Sequence, residues 1–200
     1  GLDRRTRQHD AFDQFALDGD TPAAYVASGT VSGTLLDQWS LSEHDGHLRV
    51  AVTHQPSWSG RDTQPVSSSS VVVLARDGDA LVETGRVDGL GLDEQIYAVR
   101  FMGDVGYVVT FRQIDPLYVL DLSDPTAPAA TGELKITGYS SYLHPVGDGL
   151  LLGIGQEATD QGRTTGGQVS LFDVSDPTTP ERLAQFDLGE SSSSEVEHDH

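Results

Sequence analysis

Apolar positions in this chain come in short runs, without the three-and-four spacing of a helix face. "HLRVAVT" (His47 to Thr53), "SVVVLAR" (Ser70 to Arg76), "GYVVTF" (Gly106 to Phe111) and "LLLGIG" (Leu150 to Gly155) are bounded by Gly, Pro, Asp and Ser. Runs of this length, composition and punctuation read as strands. The pattern predicts strands at Phe12–Leu17, Tyr25–Val31, Leu35–Leu41, Gln95–Met102 and Ser140–His144, among others, and a last one from Glu195.

The strands recur in sets of four. One set holds "LLDQWSL", "HLRVAVT", "SVVVLAR" and "LVETGRV". The next holds "QIYAVRFM", "GYVVTF", "LYVLDL" and "AATGELKI". The third holds "SSYLH", "LLLGIG", "VSLFDV" and "RLAQFDL". In each set a short Gly/Asp turn ("HDGH", "GDVG" or "GDG") joins the first strand to the second, which is a hairpin signal. "LYVLDLSDPTAP" (Leu117 to Pro128) returns 52 residues later as "VSLFDVSDPTTP" (Val169 to Pro180). Both faces of that strand are largely apolar, so it is expected between two covering layers. In the turn that follows, Asp124 and Asp176 are placed to accept from backbone N–H groups, and Pro125 and Pro177 preset φ. Four-stranded units at this period predict an all-β fold, a β-propeller segment of three four-stranded antiparallel blades with partial flanking strands. The expected division is outer strands of a preceding blade in 1–34, blades in 35–90, 91–138 and 139–189, and a linker with the start of a further blade in 190–200. Three blades do not close a ring, so the chain reads as a fragment of a larger propeller, with apolar end faces able to self-associate.

Charge narrows the partners. The 200 residues carry 31 acidic and 12 basic groups, a formal net charge of −19. Such a surface repels phosphate, which argues against a nucleic-acid partner. No apolar run approaches the ~20 residues of a membrane-spanning helix. The chain has no cysteine, which removes disulfides, thiolate metal sites and cysteine nucleophiles.

"YVASGTVSGTLLDQWSLSEHDGHLRVAVT", "EQIYAVRFMGDVGYVVTFRQIDPLYVLDLSDP" and "GYSSYLHPVGDGLLLGIGQ" followed by "QVSLFDVSDP" resemble the family of secreted proteins with a C-terminal β-propeller domain distantly related to WD-type repeats. The [LV]-x-[LFI]-D-[LV]-S-D-P element also resembles LVIVD-type repeats of surface propellers. The resemblance implies secretion or cell-surface display in a prokaryote, with no catalytic set to carry over.

Candidate chemistry therefore has to come from position. First strands of successive blades line a propeller channel, and here they supply Trp39, Tyr97, Arg100, Tyr142 and His144, followed by Glu195 and Glu197. Aromatic and ionisable groups together suit a polar ligand, a protein surface or a glycan. Arg100, inside an apolar strand, needs a partner; a nearby carboxylate is the structural expectation. His198, Asp199 and His200 have metal-like spacing. "HDGH" (His44 to His47) has it too, but reads first as a hairpin turn. No cofactor is implied. A calcium ion shared between blades is the exception, since Asp-rich turns such as those at Asp18, Asp20, Asp77, Asp79 and Asp104 could converge, although none has an EF-hand pattern. "GTVSG" and "SWSG" do not form a nucleophile elbow, and "GRTTGG" (Gly162 to Gly167) reads as an inter-strand loop, not a phosphate loop. The leading expectation is a non-catalytic interaction module. The alternatives are a secreted propeller hydrolase or lyase using channel or rim carboxylates, and a calcium-dependent adhesion module.

Overall fold

The computed structural model describes residues 9–17, 22–55, 66–112, 115–159, 163–190 and 192–195. A hairpin of β1 (His9–Ala16) and β2 (Ala24–Ser32) is followed by a 3-10 turn (Gln38–Ser40). The first blade comprises β3 (Leu41–His44), β4 (His47–His54), β5 (Ser68–Asp77) and β6 (Ala80–Leu90). The second comprises β7 (Gln95–Met102), β8 (Val105–Phe111), β9 (Asp115–Asp121) and β10 (Ala129–Ile136). The third comprises β11 (Tyr139–Gly147), β12 (Leu150–Ala158), β13 (Thr164–Asp173) and β14 (Glu181–Glu190). Each blade is an antiparallel meander in chain order. A single parallel bridge, Ser28 to Ala80, joins the β1–β2 hairpin to the first blade.

Three apolar layers hold the blades face to face. Ala27, Val31 and Phe12 of the hairpin pack on Val50, Val52, Val72 and Leu74 of the first blade. Ala51, Val71 and Val87 meet Ile96, Val99, Val108, Leu120 and Leu122. Tyr107, Val109, Leu117 and Val119 meet Leu143, Leu151, Phe172 and Val174. The two-residue strand period explains this division. Val119 serves one layer and its neighbour Leu120 the other, and both are fully buried. At about 25 cal/mol per Å², burial on both sides of a central strand dominates blade stability.

The turns behave as their residue types dictate. Asp124 Oδ1 accepts from Thr126 N at 2.9 Å, and Asp176 Oδ1 from Thr178 N at 2.9 Å. In "HDGH", Asp45 and Gly46 have φ of 48° and 74°, the left-handed pair that a two-residue hairpin demands.

Three expectations need correction. Leu35–Leu41 is not a strand. Asp37 Oδ1 accepts from the backbone N–H groups of Trp39 (2.8 Å) and Ser40 (3.1 Å), which draws these donors into a 3-10 turn, and β3 begins only at Leu41. Of "GRTTGG", Thr164 to Gly167 belong to β13, paired with β12 through Gly166–Glu157 and Gly167–Gln156. Glu195 is exposed and lies in no strand; the residues after it, 196–200, lie outside the described residues.

Candidate functional site

The innermost elements bring four of the expected channel residues together. Trp39 stands on the 3-10 turn, Arg100 on β7, and Tyr142 and His144 on β11. The Arg100 guanidinium carbon lies 4.1 Å from the Trp39 ring centroid and 5.6 Å from that of Tyr142. Arg100 Nε donates to the Leu143 carbonyl at 2.9 Å, and one terminal nitrogen reaches the Tyr142 hydroxyl at 3.4 Å. The Tyr142 hydroxyl is 3.1 Å from His144 Nδ1, and the two rings stack with centroids 6.0 Å apart. Residues of three blades thus converge on one guanidinium. Among the described residues no carboxylate forms an ion pair with Arg100; aromatic faces and a carbonyl take the place of the expected acid. Arg100, Trp39 and Tyr142 are half-buried and His144 is exposed, so the cation is held in place yet reachable.

Tyr97 is on the same strand but belongs to a different group. Its ring packs 5.4 Å from Phe111 and 4.7 Å from Tyr139, sealing the layer between the second and third blades. The irregularity between Ile96 and Ala98 in the β7–β8 register redirects it. Glu195 is not brought to the cluster by any contact among the described residues. Glu197, His198, Asp199 and His200 lie outside the described residues.

A family model described as "Beta propeller domain" matches residues 3–200. The chain belongs to the beta propeller domain family. An uncharacterized protein of Archaeoglobus fulgidus is 45% identical over 161 residues, covering 80% of this chain and 23% of that protein. Uncharacterized protein MJ1554 of Methanocaldococcus jannaschii is 44% identical over 163 residues, covering 82% of this chain and 24% of that protein. The chain therefore spans about a quarter of the length of the curated relatives it matches.

Two further features of this propeller depend on contacts between blades. The first is a socket between blades. Thr84 Oγ1 lies 3.2 Å from the Val73 carbonyl of its own blade and 3.3 Å from the Pro125 carbonyl of the next, and Thr131 Oγ1 lies 3.2 Å from the Val119 carbonyl and 3.5 Å from the Pro177 carbonyl, so each hydroxyl proton is shared between two blades. The glycine after each threonine, Gly85 or Gly132, faces that same proline carbonyl so closely that a Cβ would collide with it. The outer strand of one blade thus receives the Asp-Pro turn of the next. "TG" in "LVETGRV" and "AATGELKI" is the sequence signal. At the matching register of β14 stand Leu183 and Ala184, with Ala184 opposite Leu171 as Gly132 is opposite Val119.

The second feature concerns acids. Glu94 and Glu133 line one cleft with Tyr118 and Lys135. Burial, followed by the Glu133 charge, pushes the Glu94 carboxyl above its ordinary range, against the hydrogen bond from Thr110. The hairpin turns also converge: His44 Nε2 lies 3.2 Å from Asp104 Oδ1 and 3.8 Å from Asp45 Oδ2. Asp77 ends β5 and Asp79 lies in the turn after it, both exposed, and Asp18 and Asp20 lie outside the described residues.

Proposed function

We propose that this propeller segment is a non-catalytic interaction module of a secreted or cell-surface protein, and that it engages a carboxylate-bearing ligand, an acidic glycan or the acidic side chain of a partner protein. The observation that carries the reading is Arg100, pinned between Trp39 and Tyr142 with no carboxylate of its own among the described residues. A guanidinium presents a planar fork of donors that fits a carboxylate, and flat aromatic neighbours suit a sugar ring or an alkyl stem. The strong overall acidity opposes an anionic ligand at long range, so the attraction has to come from contact with the guanidinium itself. The test is binding of acidic and matched neutral oligosaccharides and peptides by wild type, Arg100→Gln and Trp39→Leu. Acidic ligands are expected to bind wild type and to lose at least tenfold in affinity with either variant. Equal binding of acidic and neutral ligands would overturn the reading. Surface placement rests on the family resemblance and is checked by fractionating cells that express the parent protein.

A second reading, a hydrolase or lyase, is favoured by one observation: Glu94 and Glu133 share a cleft, and Glu94 is shifted upward. A raised carboxyl sharing a cleft with a second one is the arrangement that can separate acid from base. Turnover of a glycan that Glu94→Gln abolishes would establish it.

A further inference from the structure

We propose a divalent transition-metal site, of the kind that takes zinc, between the first and second blades at His44, Asp45 and Asp104. His44 ends β3, Asp45 follows it in the β3–β4 turn, and Asp104 lies in the equivalent β7–β8 turn. One donor atom from each lies within 4.8 Å of the other two. A tetrahedral ion with bonds of about 2.0–2.1 Å holds its donors roughly 3.3 Å apart. The 3.2 Å between His44 Nε2 and Asp104 Oδ1 already meets that spacing. The 3.8 Å to Asp45 Oδ2 closes with a small rotation of an exposed side chain.

The surrounding residues preset the donors. The φ of 48° at Asp45, with Gly46 beside it, is fixed by the two-residue turn. His47 Nδ1 is 2.9 Å from the Asp45 carbonyl. Arg49, only 4% exposed, donates to the Gly103 carbonyl and to Ser42 Oγ, which ties β3 and β4 to the β7–β8 turn. Its charge offsets one of the two carboxylates. The donor set, one imidazole and two carboxylates, suits a metal that accepts nitrogen, and its two negative charges outnumber the single guanidinium beside it. Calcium asks for six to eight oxygens and is poorly served. The open side faces a cleft lined also by Ser123 and Pro125, so a fourth ligand has room to enter. The metal would staple two blades at their inner turns.

The competing explanation is that Asp45 and Asp104 only balance Arg49. His44→Gln separates the two, since it keeps both carboxylates and removes the nitrogen donor. The experiment uses the chain with His198→Ala and His200→Ala, so that the terminal "HDH" cannot contribute. Zinc is titrated by calorimetry and thermal melting, and cobalt by its visible absorption. The expected results are one zinc per chain, a rise in Tm with zinc, and a tetrahedral cobalt spectrum. Each is lost in His44→Gln, with at least a tenfold drop in affinity. Asp104→Asn, which tests the donor from the other blade, weakens binding similarly. No zinc-dependent Tm rise, or the same rise in wild type and His44→Gln, would overturn the proposal.

Discussion

Arg100 lies over the indole of Trp39 at 4.1 Å, although the two residues belong to consecutive blades and are 61 positions apart. Cation and ring were brought into register by stacking of blades, not by any local element. The contact therefore reports on both blade docking and the candidate site. A half-exposed cation–π pair of this kind contributes about 0.5–1 kcal/mol. A double-mutant cycle of Arg100→Gln and Trp39→Leu is expected to show coupling of about that size by urea unfolding. Coupling indistinguishable from zero would mean that the Leu143 carbonyl and Tyr142 hold the guanidinium without help from the indole.

The blade socket makes a sharper demand. Gly85→Ala and Gly132→Ala each put a methyl group against the backbone of the neighbouring blade, which cannot yield as a side-chain tip would. The expected loss is about 1–3 kcal/mol per site, by analogy with overpacking elsewhere. Ala184→Gly, at the matching position of β14, relieves no clash and is expected to cost under about 1 kcal/mol, from backbone entropy alone. Chemical denaturation of the three variants, compared with wild type, tests the pattern. Equal effects at all three positions would show that the Thr-Gly pair is not a docking device.

The pattern of alternating apolar runs was enough to read the all-β class and the three blades, because a strand covered on both faces leaves that trace in any context. Asp124 and Asp176 were readable as turn formers for a local reason: their hydrogen bonds run two residues along the chain. Trp39 was placed on a strand because its apolar neighbours hide what Asp37 does to the backbone N–H groups. Convergence was the harder part. Asp104 and His44 are ordinary turn residues in sequence, and only the packing of blades sets them 3.2 Å apart. Thr84 and Thr131 carry no local sign of their role for a related cause, since the second carbonyl each one meets belongs to another blade.

Acid should loosen the Asp-Pro turns. The Thr126 hydroxyl holds the Asp124 carboxyl below its usual range, and the Thr178 hydroxyl does the same for Asp176, with help from the backbone N–H groups. A carboxyl lowered on folding contributes stability above its unfolded range and loses it as pH falls through the folded value. Asp124→Ala and Asp176→Ala are thus expected to be less stable than wild type at neutral pH. The gap should narrow as pH falls below the ordinary aspartate range, where the wild-type carboxylates also lose charge. Urea midpoints across pH provide the check; a gap that stays constant would mean that the hydroxyl and amide bonds do not depend on the carboxylate charge.

Glu94 runs with the opposite sign. Its carboxyl is raised on folding, first by burial and next by Glu133. Below the unfolded range both states are protonated and nothing is lost. As pH rises through that range toward the folded value, the native state is increasingly penalised, and above it the penalty is constant. Glu94→Gln is therefore expected to gain stability relative to wild type between acid and neutral pH and to keep a constant advantage beyond. Glu133→Gln removes one cause and leaves the other, so the Glu94 window should move down without vanishing. If it does not move, burial alone sets the shift, and the two carboxylates do not act as a pair. The hydrolase reading then loses the coupling on which it depends, while the Arg100 cluster is untouched, because no atom of that cluster takes part in the cleft.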